Sequence, residues 1–291
     1  MPSSRLALGT VQFGQHYGVA NRGLRVDRAE AAGILADALA SGMDTLDTAV
    51  GYGDSEQRLG EIGVKRWHVI SKLPAVPDRC TDVVAWVQDV VAGSLQHLGI
   101  ERLRGMLLHR PAELVGARGA ELWGALEVLK AQKRVEKIGV SVYDPEELDA
   151  LAPCARFDIV QAPFSIVDRR LSSSGWLTRL HQAGTEVHVR SVFLQGLLLM
   201  DPRDRPVAFD RWRSLWDTWE RWLDAQSLTA LQACVGFALS LPEINRVIVG
   251  VDSGQQLRQI VSCEATPGLK PPPELASDDP LLINPSRWIL P

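Results

Sequence analysis

Short runs rich in Leu, Ile and Val alternate with longer segments of helical periodicity along almost the whole chain, and this alternation constrains the fold more than any other feature. The candidate strands are Leu6–Thr10, Met43–Asp47, Trp67–Lys72, Leu103–His109, Glu136–Val140, Phe157–Gln161, Glu186–Arg190 and Arg246–Gly250. Between them, apolar residues recur every three or four positions. Ala31, Ile34, Leu35, Ala38 and Leu39 mark one helix, Val83, Val87, Val90, Val91, Leu95 and Leu98 another, and Leu122, Leu126 and Leu129 a third. A strand that is followed by a helix returns to pair in parallel, because only a crossover brings the chain back to the same edge. Eight such units predict an α/β fold of the (β/α)8 TIM-barrel type. An open, doubly wound sheet is the alternative. No Gly-x-Gly-x-x-Gly follows the first strand, however, and Gly51-Tyr52-Gly53 lacks the third glycine.

Helix boundaries carry their own signals. Asp27 with Glu30 reads as a capping box, Pro145 as the first residue of a helix, and Gly42 and Gly99 as helix ends. About 55 residues separate the last two strands, enough for two helices and a loop, so an extended helical segment is expected at about 201–240. Within it Trp212, Trp216, Trp219 and Trp222 form one stripe at helical spacing, which reads as packing. The tail at about 267–291 is Pro-rich, and Trp288, Ile289 and Leu290 suggest that its end docks on the body. Residues 1–291 together read as a single barrel domain.

Composition narrows the function classes. The chain is 46% apolar and 23% charged, as for a soluble globular protein, and its longest candidate for a membrane span, Val192–Met200, is too short and carries Gln195 and Gly196. The first ten residues contain no apolar secretory core, so a cytoplasmic protein is expected. A net charge of −4 argues against a nucleic-acid footprint. Cys80, Cys154, Cys234 and Cys263 have no metal-ligand or disulfide spacing and read as free thiols, small buried side chains in a reducing compartment. The acidic cluster Asp44, Asp47, Asp54, Glu56 and Glu61 reads as helix capping and first-turn charge, with Asp54 or Ser55 as the cap, and no metal is expected.

Catalytic groups of a (β/α)8 barrel sit at the C-terminal ends of its strands. Asp47 ends the second candidate strand, with Tyr52 in the loop behind it; Lys72 ends the third and His109 the fourth. A lysine ammonium beside a phenol favours the phenolate and lowers the phenol pKa from about 10. A tyrosine so placed can protonate a developing alkoxide while a histidine orients the carbonyl, which is equipment for carbonyl reduction with a nicotinamide cofactor. His16 and Tyr17 follow the first strand and are candidates for the wall of a substrate pocket.

These residues lie in motifs that resemble the aldo-keto reductase superfamily. Leu8-Gly9-Thr10-Val11-Gln12-Phe13-Gly14 resembles its opening strand. Asp47-Thr48-Ala49, Tyr52-Gly53, Ser55-Glu56 and Leu59-Gly60 resemble its signature block. Ser71-Lys72, Leu108-His109, Gly139-Val140-Ser141, Val160 to Ser165, Asp168-Arg169-Arg170, Ser191 to Leu198 and Ile248-Val249-Gly250 follow in the family's order, over about residues 5–262. The resemblance implies a catalytic tetrad of Asp47, Tyr52, Lys72 and His109, with Tyr52 as general acid and a small carbonyl compound as substrate. It also implies NADP(H) or NAD(H) bound by Thr10, Asp47, Ser141, Gln161, Arg190, Ser191, Gly250, Ser253 and Gln256, with Ser141 and Gln161 at the carboxamide.

The chain departs from the family pattern at several points. Val142 stands where an Asn is common, and Arg190 where an aromatic side chain stacks on the nicotinamide. Near the adenosine end Asp252 would repel a 2′-phosphate and Arg258 is the nearest cation, so discrimination between the two cofactors is expected to be weak, within about tenfold. The segments Thr10 to Asn21 and Arg190 to Leu198 resemble a bacterial subgroup found near surface-polysaccharide genes, which implies a sugar-like substrate. The rival readings are an epimerase or dehydratase with tightly held cofactor, and a regulatory barrel that binds a nicotinamide without turnover.

Overall fold

The computed structural model describes residues 4–16, 18, 25–264 and 269–288. Eight parallel strands close into a barrel in chain order. They are β1 (Leu6–Gly9), β2 (Thr45–Asp47), β3 (His68–Leu73), β4 (Leu103–Leu108), β5 (Val135–Ser141), β6 (Ile159–Pro163), β7 (Glu186–Arg190) and β8 (Arg246–Gly250). The ring closes between β1 and β8, where Gly9 is in register with Gly250. Outside it lie α1 (Arg28–Ala40), α2 (Ser55–Ile62), α3 (Val83–Leu98), α4 (Gly119–Ala131), α5 (Glu147–Leu151), α6 (Trp176–Gln182), α7 (Arg213–Gln226), α8 (Ala230–Ser240) and α9 (Gly254–Ser262). All the expected strands are present, with ends displaced by one or two residues where the ladder rather than the apolar run sets the limit.

Each helix covers the barrel with the face that its periodicity marks. α3 buries Val83, Val87, Val91, Leu95 and Leu98, each worth about 1.5–3 kcal/mol when fully removed from water. It stops at Gly99, whose φ of 63° suits a residue without Cβ. Among the described residues no helix is long and apolar enough to cross a membrane.

The barrel interior is layered. Ile70, Leu107 and Ile159 form an apolar cluster of their own. Each lies two residues before Lys72, His109 or Gln161, so the alternation of a strand puts the apolar plate directly beneath those polar side chains. At the N-terminal rim Glu186 meets Arg104 at 2.9 Å, Lys137 at 2.6 Å and His188 at 3.5 Å. Burial opposes ionisation of Glu186, but these partners outweigh it and hold the carboxyl down at about 2.

Between β7 and β8 the chain makes 3-10 turns at Pro202–Asp204 and Val207–Trp212 before α7 and α8. Trp216 and Trp219 are buried, so the tryptophan stripe packs. Trp212 Nε1 donates to Asp279 at 3.1 Å, and Trp288 meets Phe209 edge-on at 4.9 Å, which fastens the tail segment 269–288 beside α7. Ile289 and Leu290 lie outside the described residues.

Several local expectations are corrected. Asp27 accepts from Glu30 N at 2.8 Å, but the Glu30 side chain does not complete the box; it reaches across to Gly254 N instead. Pro145 lies in a turn, and α5 begins at Glu147, whose carboxylate accepts from Tyr143 N and Asp144 N. Asp54 stands at the N-cap position of α2, but its side chain makes no cap hydrogen bond and pairs with Arg25 and Arg58, while the Ser55 hydroxyl donates to Thr10. Cys234 and Cys263 are buried, whereas Cys154 is exposed and Cys80 half-buried.

Candidate active site

The strand ends bring Asp47, Lys72 and Tyr52 together. Lys72 Nζ donates to Asp47 Oδ2 at 2.6 Å, to Thr48 O at 2.9 Å and to Tyr52 Oη at 3.4 Å. Asp47 and Lys72 are both buried, so neither charge is shielded by bulk water. Burial works against the Lys72 ammonium, but Asp47 and Tyr52 outweigh it, and its pKa moves up from the ordinary lysine value. His109 lies edge-on to Tyr52, with ring centroids 5.9 Å apart. Burial pushes His109 down to about 4, and the positive charges of Lys72, Arg190 and Arg110 act in the same direction. At neutral pH it is therefore an uncharged imidazole with one N–H to donate.

The loop that carries Tyr52 is held by close backbone approach. A Cβ on Gly14 would lie 1.7 Å from Tyr52 O, and one on Gly53, at φ 59°, would lie 2.5 Å from Gly14 O. Only glycine lets these two segments touch. Behind them Ser55 Oγ donates to Thr10 O at 3.0 Å, and Thr10 Oγ1 donates to Asp47 O at 3.0 Å. Glu56, read as a first-turn charge, is buried and accepts from Ser71 Oγ at 2.5 Å and Ser94 Oγ at 2.9 Å. The acidic cluster as a whole is dispersed into separate pairings, and among the described residues no group of three or more His, Cys, Asp or Glu could hold a metal ion.

A cavity of about 520 Å³ opens over these groups. Thr10, Gln12, Asp47, Tyr52, Arg190, Ser191, Gly250, Asp252 and Gln256 lie on its wall. Of the residues expected at a cofactor, Ser141 and Gln161 lie deeper and are already joined. Ser141 Oγ donates to Gln161 Oε1 at 3.1 Å, and Gln161 Nε2 donates to Asp47 Oδ1 at 2.7 Å. Ser253 caps α9 by accepting from Gln256 N at 3.3 Å. The Arg190 guanidinium does stack on a ring, but on its own chain's Tyr143, 4.5 Å from the centroid, and it donates to Val142 O at 3.0 Å. The loop leaving β7 is strained where it borders the cavity: Ser191, Leu194 and Gln195 have φ of 62°, 49° and 53°.

The cavity fits a nicotinamide cofactor. Gln12 Oε1 is buried on its wall with no hydrogen-bond partner among the described residues, a cost that a ligand donor would remove. Gly250 keeps the floor open beside it, since a Cβ there would lie 2.4 Å from Gln12 Nε2. Gln12 and Glu30 were not singled out from the sequence as binding residues. A polar residue inside the apolar run Leu6 to Phe13 is a signal for Gln12; Glu30 has none, because its partner is 224 residues away. His16 is described but is not among the cavity-lining residues, and Tyr17 lies outside the described residues.

This geometry sits in a chain that belongs to the Aldo/keto reductase family, whose model matches residues 5–269. It is an NAD(P)-dependent oxidoreductase of the kind that reduces carbonyl groups. Among its relatives, an NADH-specific methylglyoxal reductase of Escherichia coli is 26% identical over 306 aligned positions, covering 89% of each chain. An aldo-keto reductase of Mycolicibacterium vanbaalenii is 32% identical over 125 residues, covering 42% of this chain and 43% of its own. The holo form of an aldo-keto reductase from Bacillus halodurans shares the fold, with a TM-score of 0.73 at 21% identity, covering 92% of this chain and 89% of that one.

Proposed function

We propose that this enzyme reduces a small, sugar-derived aldehyde or ketone to the alcohol, with Tyr52 as the proton donor. The observation that carries the reading is the lysine bridge, with Lys72 Nζ 2.6 Å from Asp47 Oδ2 and 3.4 Å from Tyr52 Oη. Because Tyr52 Oη accepts from Lys72, its own hydrogen points elsewhere, and Tyr52 lines the cavity. As charge develops on the carbonyl oxygen, Tyr52 gives up this proton, and the Lys72 ammonium stabilises the phenolate left behind. Asp47 keeps Lys72 charged and fixes its direction. His109, neutral at working pH, donates its ring N–H to the carbonyl oxygen and sets the approach of the substrate. A reduced nicotinamide bound in the cavity supplies the hydride. Thr10, Gln12, Ser191 and Gly250 on the wall, with Ser141 and Gln161 behind Asp47, would hold and orient it.

The sugar-derived class is supported by the subgroup pattern in the sequence at Thr10 to Asn21 and Arg190 to Leu198, and by Gln195 and Thr229 on the cavity wall, which suit a hydroxylated carbonyl compound. The Escherichia coli relative, named for methylglyoxal, adds 2-oxoaldehydes to the compounds to be tried. The test is the loss of reduced-nicotinamide absorbance, with NADH and with NADPH, against aldoses, hydroxyaldehydes and methylglyoxal. Carbonyl-dependent oxidation that disappears in Tyr52→Phe is expected. No oxidation with any compound and either cofactor overturns the reading.

A further inference from the structure

Tyr52 and Lys72 sit on separate segments, and the loop that carries Tyr52 is tied to β3 at both of its ends. At the near end the tie is backbone: Thr48 N donates to Ile70 O at 2.9 Å and Val50 N to Lys72 O at 3.2 Å. At the far end the loop enters α2, and there the tie is a side chain. Glu56, in the first turn of α2, accepts from Ser71 Oγ at 2.5 Å and from Ser94 Oγ at 2.9 Å. Ser71 precedes Lys72 on β3, and Ser94 lies on α3. Glu56 is 5% exposed, Ser71 0% and Ser94 1%, so bulk water does not compete for these bonds. One buried carboxylate therefore joins the helix behind Tyr52 to the strand that carries Lys72.

We infer that Glu56 is a positioning residue for the proton transfer: through Ser71 it sets the approach of Lys72 Nζ to Tyr52 Oη. The inference rests on the reductase reading above. The Lys72–Tyr52 contact, at 3.4 Å, is too long to hold its own geometry, so the segments on either side impose it. An ionised carboxylate only accepts, so both serine hydroxyls can donate to it at once, and bonds to a charged acceptor are about twice as strong as neutral ones. Among the described residues no lysine or arginine pairs with Glu56, and its one basic contact is His97 Nδ1 at 3.9 Å, from a side chain 58% exposed. The two hydroxyls therefore carry the tie. Successive side chains of a strand point to opposite faces, so Glu56 acts on the β3 backbone behind the ammonium and not on the ammonium itself. A misplacement of about 1 Å between reacting groups can cost about 10²-fold in rate, which is the margin that such a tie protects.

The test compares Glu56→Ala, Glu56→Gln and Ser71→Ala with the native chain and with Leu122→Ala. The last opens a cavity under α4, outside this network, and serves as a variant that is destabilised only. Crystal structures give the Lys72 Nζ–Tyr52 Oη distance, and stopped-flow turnover in H2O and D2O gives kcat and its solvent isotope effect. In Glu56→Ala and Ser71→Ala the distance should grow by about 0.5 Å or more, and kcat should fall about tenfold or more. The solvent isotope effect should rise, because proton transfer from Tyr52 slows relative to the other steps, while Kd for the dinucleotide stays within about twofold. Glu56→Gln keeps one acceptor oxygen and should recover part of the loss; with Ser71→Ala it carries the test if Glu56→Ala does not fold. Leu122→Ala should lower Tm and leave the distance and the isotope effect at their native values. If the Glu56 and Ser71 variants behave in the same way as Leu122→Ala, Glu56 is only structural and the inference is overturned. The reductase reading then still stands, provided that Tyr52→Phe loses turnover. If Tyr52→Phe turns over normally, or no carbonyl is reduced at all, the reductase reading falls and the inference falls with it.

Discussion

Lys72 and Asp47 form a buried ion pair at 2.6 Å at the C-terminal end of the barrel, and Lys72 reaches from it to the Tyr52 hydroxyl. The pair ties stability and chemistry to the same two atoms. A buried charge that loses its partner cannot be rescued by water, so each half depends on the other.

Lys72→Met keeps the length of the side chain and removes the ammonium. It should abolish measurable turnover and cost about 3–5 kcal/mol, because the Asp47 carboxylate stays buried without its counter-ion. Adding Asp47→Asn removes the stranded charge and should return part of that loss, a coupling that urea denaturation of both singles and the double would read. Strict additivity of the two single effects counts against the paired role.

Tyr52→Phe deletes one oxygen and leaves the ring against His109. On the proposed mechanism the hydroxyl supplies the proton to the carbonyl oxygen and does not hold the cofactor, so kcat should fall by at least about 10²-fold while Kd for the dinucleotide changes little. Stopped-flow turnover with equilibrium binding separates the two quantities. Native turnover in this variant assigns the proton to another group.

His109 makes stability depend on pH. Above 6.5 the folded and unfolded chains both hold it neutral; below that value the unfolded chain takes up a proton that the folded chain refuses until about 4. Its contribution is thus complete above 6.5 and is lost as pH falls toward 4. Between pH 7 and pH 4.5, His109→Gln should lose less stability than the native chain in urea titrations. Parallel curves for the two proteins would show that His109 is not held neutral by the fold.

Two glycine replacements should part company. Gly14→Ala drives a methyl into the Tyr52 carbonyl, which is backbone and cannot yield without moving the whole Tyr52 loop. A loss of activity of about 10-fold or more with a lowered Tm is expected. Gly250→Ala meets the end of the flexible Gln12 side chain and should melt near the native temperature while binding dinucleotide more weakly. Matched melting curves and fluorescence titrations decide it. Equal behaviour of the two variants removes the distinction drawn between backbone and side-chain contact.

Periodicity and strand-end chemistry belong to short stretches of chain, and these were legible without coordinates. Alternating strands and amphipathic helices follow from local spacing, so all eight strands and the barrel could be read directly. Asp47, Lys72 and His109 were recognisable as polar residues closing apolar strands, and Tyr52 by the signature around it. What the fold alone decided are the contacts between stretches far apart. Glu30 N donates to the Asp27 cap, yet its carboxylate crosses to Gly254, 224 residues on. Arg190 keeps its planar stack but spends it on Tyr143, and Asp54 turns from its helix cap to Arg25 and Arg58. A side chain with several possible partners settles on the one that closure of the barrel brings within reach, and a local pattern contains no information about that distance.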